Sequence, residues 1–318
     1  MRKGIWTILM LAAFFIGCDD DDQGKTGDIA KEQPEAYSLD GTPLYPLTFD
    51  AERQAELERN LAEAQAAFDA DPDDPENVIW LGRRTAYLGR YNEAIKIYTA
   101  GLNLYPDNYK MLRHRGHRHI SIRKFKQAIA DLEVACQLID GVPDEVEPDG
   151  HPNQYNIPTS TSHSNIWYHL GLAYYLDGDF ESAVRAYREC LKFSKNPDML
   201  VATSDWLYMS LRRLGRIDEA IAVLEPITAD MNILENNAYH DRLLMYKGLK
   251  SPEDLLDLEK EDDLQMATYG YGIGNWYLYN GEVEKATTIF KRALEASYWP
   301  AFGYIAAEAD LYRLGVGK

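Results

Sequence analysis

The residues best suited to chemistry lie between Leu112 and Lys126, where arginine, lysine and histidine recur within an otherwise acidic chain. Such a segment can bind an anion through its guanidinium groups or a metal through its imidazoles. His114 and His117 are three residues apart, the spacing that places two side chains on one face of a helix. The flanking arginines repel a divalent cation, and no carboxylate stands among the histidines. We therefore predict no metal site here.

A second group of reactive side chains follows further along the chain. His151, His163 and His169 accompany a run of hydroxyl side chains at Thr159–Ser162. An imidazole beside a hydroxyl is the arrangement that activates a nucleophile in hydrolases. The sequence lacks the nucleophile-elbow and metalloprotease signatures, however, and hydroxyls directly before a helix beginning near Asn165 more often cap its first turn. We therefore predict no catalytic residue and no cofactor.

Arg115 needs a partner, because the helical periodicity assigns it to a packing position where an isolated charge is strongly destabilising. An acidic segment at 141–163 follows the basic helix. We predict that this segment folds onto the helix and forms a structural ion network with it. The network comprises Arg115, Arg118, Asp144, Glu145, Glu147 and Asp149. Two alternatives stay open: the same cations bind an external anion, or the insertion 141–163 and helix 112–120 form a small enzymatic or ligand-sensing site.

The overall charge limits the classes of partner. The chain of 318 residues has a formal net charge of −18, which opposes binding to nucleic acid and to anionic membranes because both require a basic surface. A hydrophobic fraction of 46% and an aromatic fraction of 12% indicate a folded chain with a substantial core. Any anion site must therefore be local, and we predict no nucleic-acid partner.

A repeated spacing organises the chain from about residue 50 onward. In four blocks a glycine precedes an alanine by twelve residues, and a fifth block has Tyr208 in the place of the glycine before Ala220. The four pairs are Gly82 with Ala94, Gly116 with Ala128, Gly171 with Ala183, and Gly274 with Ala286. The first two blocks are 34 residues apart, and this pattern resembles the tetratricopeptide repeat family, whose unit is a helix-turn-helix pair. The resemblance implies an all-α, right-handed superhelical solenoid of antiparallel helix pairs.

The resemblance also sets the boundaries. It places repeats near 75–108, 109–140, 164–197 and 201–230, a degenerate repeat at 234–264 and a last repeat at 267–300. The long gap between the second and third repeats marks the insertion 141–163. Helices at 50–70 and 300–314 are interpreted as terminal caps, which shield the apolar ends of a solenoid from water. The predicted solenoid thus extends over 49–315.

In this family the first helix of each repeat lines the concave face. Carried over to this chain, the resemblance implies a binding groove of Arg83, Tyr87, Arg113, His117, Tyr168, Tyr175, Asp205, Met209, Arg212, Arg213, Tyr271, Asn275 and Tyr279. Guanidinium groups bind carboxylates in a bidentate manner, and tyrosines supply contact area at a small entropic loss. We therefore predict a non-catalytic scaffold that binds a protein or peptide through an acidic segment or a C-terminal carboxylate.

The first 17 residues have the pattern of an export signal. Two cations precede an apolar run from Ile5 to Ile16 that is too short to span a bilayer. The run is followed by Gly17 and Cys18, which resembles the lipobox of bacterial lipoproteins, where a peptidase cuts before the cysteine that carries the lipid. The resemblance implies lipidation at Cys18, and membrane contact through this anchor only.

The segment after Cys18 is predicted to be an acidic, disordered tether over 18–48, since it lacks helical periodicity and is rich in Gln, Gly, Thr and Pro. Asp19–Asp22 resembles the surface-export signal of some bacterial lipoproteins, whereas aspartate directly after the cysteine resembles inner-membrane retention in others. We predict a cell-envelope protein, with the outer membrane or cell surface favoured and inner-membrane retention left open. Cys136 and Cys190 fall at packing positions and are predicted to be free thiols.

Overall fold

A computed structural model describes residues 33–150, 152–256 and 266–316. The predicted export signal, Cys18, most of the predicted tether and His151 lie outside the described residues. Within the described residues the fold is all-α apart from one short hairpin, and no helix there is both long and apolar enough to cross a bilayer. Cys136 and Cys190 are free thiols, and burial raises the pKa of Cys190 to about 12.

The described helices follow the repeat pattern closely. They are α1 (Ala51–Ala70), α2 (Pro75–Tyr87), α3 (Tyr91–Leu104), α4 (Tyr109–Ser121), α5 (Phe125–Leu138), α6 (Ser162–Asp177), α7 (Phe180–Phe193), α8 (Pro197–Arg213), α9 (Ile217–Val223), α10 (Asn237–Tyr246), α11 (Pro252–Leu255), α12 (Tyr271–Tyr279), α13 (Val283–Ala293) and α14 (Phe302–Arg313). A π-helical turn at Met266–Gly270 leads directly into α12. Each helix from α1 to α9 packs against the next, and so do α12, α13 and α14, which gives a solenoid of helix pairs like that of tetratricopeptide repeats.

Local sequence signals determine where the helices begin. Asp50 caps α1 by accepting a hydrogen bond from the backbone N–H of Arg53, and Asn108 caps α4 in the same way. Pro75 stands in the first turn of α2, where a missing N–H is harmless. The hydroxyl cluster before α6 acts as predicted, because Thr161 forms a capping box with the first turn of that helix.

Small residues allow the two helices of a pair to approach closely. A Cβ atom placed on Gly171 of α6 would lie 2.7 Å from the ring of Tyr187 on α7, so only glycine fits without displacing that ring. Tyr208 occupies the equivalent position on α8, and its ring stacks on Tyr246 of α10 at 4.3 Å between centroids. The following helix α9 is short and ends at Val223.

The chain before α1 forms an ordered hairpin. Strand β1 (Ala36–Tyr37) pairs antiparallel with β2 (Pro43–Leu44), and Ala36 lies opposite Leu44. Both of these side chains are buried in a cluster with Tyr91 of α3 and Trp299 from the loop before α14. The prediction of a disordered tether over 18–48 is therefore corrected for residues 36–44, which form this hairpin. Strands of two residues are too short to produce a periodic sequence signal.

The C-terminal helix α14 is not an outer cap. Its residues Tyr304–Leu311 are all buried, and the helix packs against α6 and α12, the first helices of two repeats, as well as against α13. First helices line the inner face of such a solenoid, so α14 lies on that inner face. The prediction of a cap at 300–314 is corrected in this respect, because the carboxylates of Glu308 and Asp310 find arginine partners there.

Arg123, at the turn between α4 and α5, anchors this arrangement. It has a left-handed backbone (φ 62°), and its buried guanidinium forms an ion pair of 2.7 Å with Glu308 of α14. The same guanidinium donates to the carbonyl oxygens of Ser121 at 2.6 Å and Trp299 at 3.0 Å. Glu308 in turn accepts a hydrogen bond of 2.8 Å from the backbone N–H of Leu39 in the hairpin. One ion pair therefore joins the second repeat, the hairpin and the C-terminal helix.

We predict that Arg123→Met lowers the free energy of unfolding by about 3 to 5 kcal/mol, because it leaves the carboxylate of Glu308 buried without its cation. Adding Glu308→Gln to this variant is expected to restore part of the loss. Urea-induced unfolding followed by circular dichroism measures both. Arg188→Met, which breaks the exposed pair with Glu219, is the matched control and is expected to change stability by less than about 1 kcal/mol. Equal losses for Arg123→Met and Arg188→Met would contradict the anchoring role.

Candidate functional site

Several predicted groove residues do converge, but on a carboxylate of the chain itself. Asp310 of α14 is fully buried and accepts hydrogen bonds from Arg213 at 2.8 Å, from Arg313 at 2.6 Å and from the hydroxyl of Tyr271 at 3.0 Å. Although burial lowers the pKa of Arg213, Asp310 raises it above its ordinary value. Arg313 also donates to the carbonyl oxygen of Leu176 at the end of α6. This part of the inner face already holds an acidic group.

Tyr175 and Asn275 complete the same network. The hydroxyl oxygens of Tyr271 and Tyr175 share a hydrogen bond at 2.6 Å, and the amide of Asn275 donates to Tyr175 at 3.0 Å. Arg213 donates to the amide oxygen of Asn275 at 3.2 Å. Tyr175, Tyr271 and Asn275 are buried, so they are inaccessible to a partner in this conformation.

Three further predicted groove residues are also enclosed by the chain. Asp205 is fully buried and pairs with Arg242 at 2.7 Å; burial raises the pKa of Asp205, whereas Arg242 lowers it. Met209 is fully buried. Tyr168 is buried, and its hydroxyl lies 3.2 Å from that of Tyr239. The expectation of a continuous open groove is therefore corrected over the third to last repeats, where neighbouring helices cover the inner positions.

Arg212 and Tyr279 form a half-buried pair near the end of α8. The guanidinium of Arg212 lies 4.3 Å from the ring centroid of Tyr279 and donates to the side chain of Asn280 at 2.8 Å. These contacts join α8 to α12. The structure thus gives Arg212 an internal partner.

The remaining predicted groove residues share one cavity over the first repeats. We call it the arginine cavity; its volume is about 250 Å³, and it is lined by Arg83, Tyr87, Arg113, His114, His117, Arg118, Glu147, Asp149, Gly150, Ser160, Asn165, His169 and Phe302, together with Ala86 and Tyr98. Its walls are the first helices α2, α4 and α6, the insertion and the start of α14. The sequence predicts two parts of this site separately. One is the groove residues on the first helices, and the other is the basic helix that the insertion covers.

Arg113 lines the arginine cavity and is incompletely paired. Its Nη2 forms an ion pair with Glu147 at 3.1 Å, its Nη1 donates to Nδ1 of His114 at 2.7 Å, and its buried Nε has no hydrogen-bond partner. Burial lowers the pKa of Arg113, and the neighbouring cations Arg83 and Arg118 lower it further, whereas Glu147 raises it. The site therefore has too little negative charge for its buried cations.

The insertion covers one side of the arginine cavity. A bridge between Val146 and Thr161 closes it at its base, and Arg83 donates to the carbonyl oxygen of Pro148 at 2.8 Å. A Cβ atom on Gly150 would lie 1.8 Å from the hydroxyl of Tyr87, so the loop can approach α2 this closely only with glycine at that position. The insertion is thus fitted to the first two repeats.

The predicted ion network forms with different partners. Arg115 makes a bidentate pair with Asp131 of α5 at 2.6 and 2.8 Å, so its charge is met within its own repeat rather than by the insertion. The insertion binds α4 through Arg113, paired with Glu147, and through Lys110, which lies 2.9 Å from Glu145. Arg115 and Arg113 have different partners because they lie on different faces of α4. Arg115 points towards α5, and Arg113 points towards the insertion.

The other members of the predicted network are less tightly paired. Arg118 lies over the ring of Tyr91 at 5.4 Å and, among the described residues, forms no ion pair within 4.0 Å. Asp144 lies 3.9 Å from Nδ1 of His163, and its carboxylate also accepts the N–H of that residue. Asp149 lines the arginine cavity, where burial raises its pKa and the nearby charge of Glu235 raises it further.

The histidines of the arginine cavity are neutral. Burial lowers the pKa values of His114, His117 and His169 well below the ordinary value, and adjacent arginines lower them further. The tilted rings of His117 and His169 are in contact at 4.4 Å between centroids, and Nδ1 of His169 forms a hydrogen bond with the carbonyl oxygen of Asn165 at 2.7 Å. Ser160 accepts a hydrogen bond from the amide of Asn165. These contacts favour positioning over acid-base chemistry.

A metal centre has no support in the described residues. Within 33–150, 152–256 and 266–316, no group of three or more His, Cys, Asp or Glu side chains is arranged to hold a metal ion. His114 already uses Nδ1 to accept from Arg113.

Comparison with known proteins identifies part of the solenoid. The tetratricopeptide repeat family matches residues 164–197. This segment is a tetratricopeptide repeat. It contains most of α6, which forms one wall of the arginine cavity, and α7, which packs closely against α6 at Gly171. The tetratricopeptide repeat therefore provides the scaffold on which the insertion is mounted.

The chain is also similar, at low identity, to other proteins. The BBSome complex member BBS4 of Bos taurus is 21% identical over 184 residues, and the alignment covers 58% of this chain but 31% of that protein. A tetratricopeptide repeat protein from Parabacteroides merdae is 17% identical with a TM-score of 0.48, covering 82% of this chain and 95% of the other. YrrB, a protein described as having an unusual peptide-binding site, is 15% identical with a TM-score of 0.42, covering 76% and 96%.

We predict that acidification below pH 6.5 destabilises the protein through the buried histidines. Because His114 and His169 have lowered pKa values in the folded state, the unfolded chain gains protons first, and stability falls as the pH falls from 6.5 towards the folded pKa values. Each histidine contributes at most about 1.4 kcal/mol per pH unit. Urea unfolding between pH 7.5 and 5 measures this slope. The variant His114→Gln/His169→Gln is expected to show a shallower slope, and an unchanged slope would contradict the neutral assignment.

Proposed function

We propose that this protein is a non-catalytic scaffold that binds an acidic segment or C-terminal carboxylate of a partner protein in the arginine cavity. The observation that carries the proposal is the incomplete pairing of Arg113, whose buried Nε lacks an acceptor. A carboxylate supplies the missing acceptor, and it also supplies negative charge between Arg83, Arg113 and Arg118. The tetratricopeptide repeat fold supports a role in protein interaction.

The arginine cavity limits what can bind. At about 250 Å³ it accommodates one or two residues rather than a long segment. The rest of the inner face is occupied by α14, whose Glu308 and Asp310 already pair with Arg123 and Arg213. The proposed partner therefore inserts a chain end or a short acidic turn at the first two repeats, and does not lie along the whole solenoid.

A small anionic ligand is the second candidate, because the insertion shields one side of the arginine cavity. Arg83 and Arg84 hold this cover by donating to the carbonyl oxygens of Pro148 and Gly150. A covered cavity suits a free organic acid better than a peptide that must pass through its mouth. In that case the protein acts as a ligand sensor on a repeat scaffold, as the sequence left open.

We further propose that the protein is anchored in a bacterial cell envelope by lipid on Cys18. The proposal is supported by the apolar run from Ile5 to Ile16 and by the Gly17 and Cys18 junction. An anchor at that point leaves the hairpin and the solenoid outside the bilayer. The outer membrane or the cell surface remains the favoured location, with inner-membrane retention as the alternative.

A peptide titration tests the arginine cavity. The probe is an acetylated hexapeptide of alternating alanine and glutamate, made with a free or an amidated C terminus, and binding to the purified chain is followed by calorimetry. Arg118→Met is expected to weaken binding at least about tenfold, since it removes one charge-assisted hydrogen bond. The substitution should leave the fold intact, because Arg118 forms no ion pair among the described residues.

Arg188→Met is the matched control. Arg188 lies on α7, outside the arginine cavity, so this substitution should leave peptide binding unchanged. Glutarate, titrated in parallel, distinguishes the second candidate: binding of glutarate without binding of either peptide supports the ligand sensor. Peptide binding that is equally strong in the Arg118→Met and wild-type chains would overturn the proposed site.

Lipid attachment is tested in a bacterium that processes lipoproteins. We expect wild-type chain to incorporate labelled palmitate and to sediment with membranes, whereas Cys18→Ser removes the label and releases the chain from the membrane fraction. Cys136→Ser serves as the control and should keep the label, because this thiol lies in a helix of the solenoid. Label retained in the Cys18→Ser chain would contradict lipidation at that residue.

A further inference from the structure

A second cleft lies away from the arginine cavity, between the end of α5, the start of the insertion, and helices α6 and α7. We call it the acidic cleft; its volume is about 450 Å³, and the side chains used below are Asp140, Asp144, His163, Trp167, Glu189 and Phe193. Among the described residues, no lysine or arginine lines it. The acidic cleft is thus an anionic depression with aromatic walls, of opposite character to the arginine cavity.

The carboxylates of the acidic cleft are poorly compensated by cations. Asp144 accepts two backbone hydrogen bonds, from Glu145 and His163, each at 3.0 Å. Glu189 pairs with Lys192 on the exposed surface of α7, where solvent weakens the attraction. Asp140 is exposed, and within the described part of the chain it forms no ion pair within 4.0 Å. The acidic cleft therefore has charge available for a cation.

His163 provides an independent sign that a ligand is missing. Its side chain is 4% exposed, and both of its ring nitrogens lack a hydrogen-bond partner. The carboxylate of Asp144 is 3.9 Å from Nδ1, which is too far for a hydrogen bond. The ring is held edge-on against Phe193 at 5.0 Å between centroids. Buried imidazoles normally find a partner, so His163 is positioned to accept a donor that enters the acidic cleft.

The fold itself shows which cation suits this combination of groups. Arg123 is held by the carboxylate of Glu308 at 2.7 Å, by the ring of Trp299 at 5.2 Å from its centroid, and by carbonyl acceptors. The acidic cleft offers carboxylates, the half-buried indole of Trp167 and a nitrogen acceptor, but its described lining contains no arginine. A guanidinium has the planar face for the indole and enough donors for all of these acceptors, whereas an ammonium is a compact point charge.

We propose that the acidic cleft binds an arginine side chain of a partner protein. The guanidinium stacks on Trp167, donates to Asp140 and Asp144, and satisfies a ring nitrogen of His163. The net charge of −18 supports the same partner chemistry, because it accelerates the approach of a basic surface. This site is independent of the arginine cavity, since the two share no lining residue.

The test uses acetyl-Gly-Arg-Gly-amide as the probe and its citrulline counterpart, which has nearly the same shape but no charge. Binding to the purified chain is followed by nuclear magnetic resonance through the indole N–H signal of Trp167. The arginine peptide is expected to shift this signal in a saturable manner, and Asp140→Asn/Asp144→Asn is expected to weaken binding at least about tenfold. Asparagine keeps the acceptor oxygen that Asp144 uses for backbone N–H groups.

Glu52→Gln/Glu63→Gln is the matched control, because it removes the same charge from exposed positions on α1. It should leave arginine binding within about twofold of wild type. A citrulline peptide that shifts the Trp167 signal as strongly as the arginine peptide would overturn the proposal. An arginine affinity that is equal in the wild-type chain and in Asp140→Asn/Asp144→Asn would overturn it as well.

Discussion

Two carboxylates on one short helix hold the inner face of this solenoid. Glu308 pairs with Arg123 from the second repeat, and Asp310 pairs with Arg213 from the fourth. All four groups are largely buried, so each carboxylate depends on its arginine for charge compensation. These pairs determine that α14 lies against the first helices of the repeats, and most other features of the site follow from that placement.

The placement of α14 determines which inner-face arginines already have an internal partner. An inner face of arginine and tyrosine side chains attracts acidic groups, and over its later repeats it has one from its own chain in Asp310. In the first two repeats, by contrast, Arg113 has a buried Nε without an acceptor, and Arg118 forms no ion pair among the described residues. The insertion then covers that region and converts an open face into the arginine cavity. The proposed recognition of a carboxylate therefore takes place in this small volume near the start of the solenoid.

The repeat pattern predicted the helices well because it records direct packing. Gly171 fits against Tyr187, and capping residues such as Asn108 stand at the predicted helix starts. The inner positions were predicted from the same pattern, and the structure does bring Arg83 and Arg113 together in the arginine cavity. The pattern of a single repeat cannot predict which inner positions remain accessible to a ligand. Their accessibility depends on contacts between residues that are far apart in sequence.

The corrections share that cause. Arg123 adopts the left-handed backbone that Gly89 and Gly178 adopt at other turns, and no local pattern indicates that its side chain reaches Glu308, 185 residues away. The acidic composition of the insertion predicts that Arg115 pairs with it. In the structure Arg115 instead pairs with Asp131 on the next helix, α5. The hairpin before α1 is too short for a periodic signal. Long-range ion pairs and two-residue strands leave little trace in local composition, so structure is needed to place them.

Amide hydrogen exchange of α14 tests the central claim most directly. If the pairs formed by Glu308 and Asp310 hold this helix on the inner face, the amides of Ile305 to Leu311 exchange only through global unfolding, at the rate of those in the middle of α6. Exchange of these amides on the timescale of a frayed terminus, while α6 stays protected, would contradict the account.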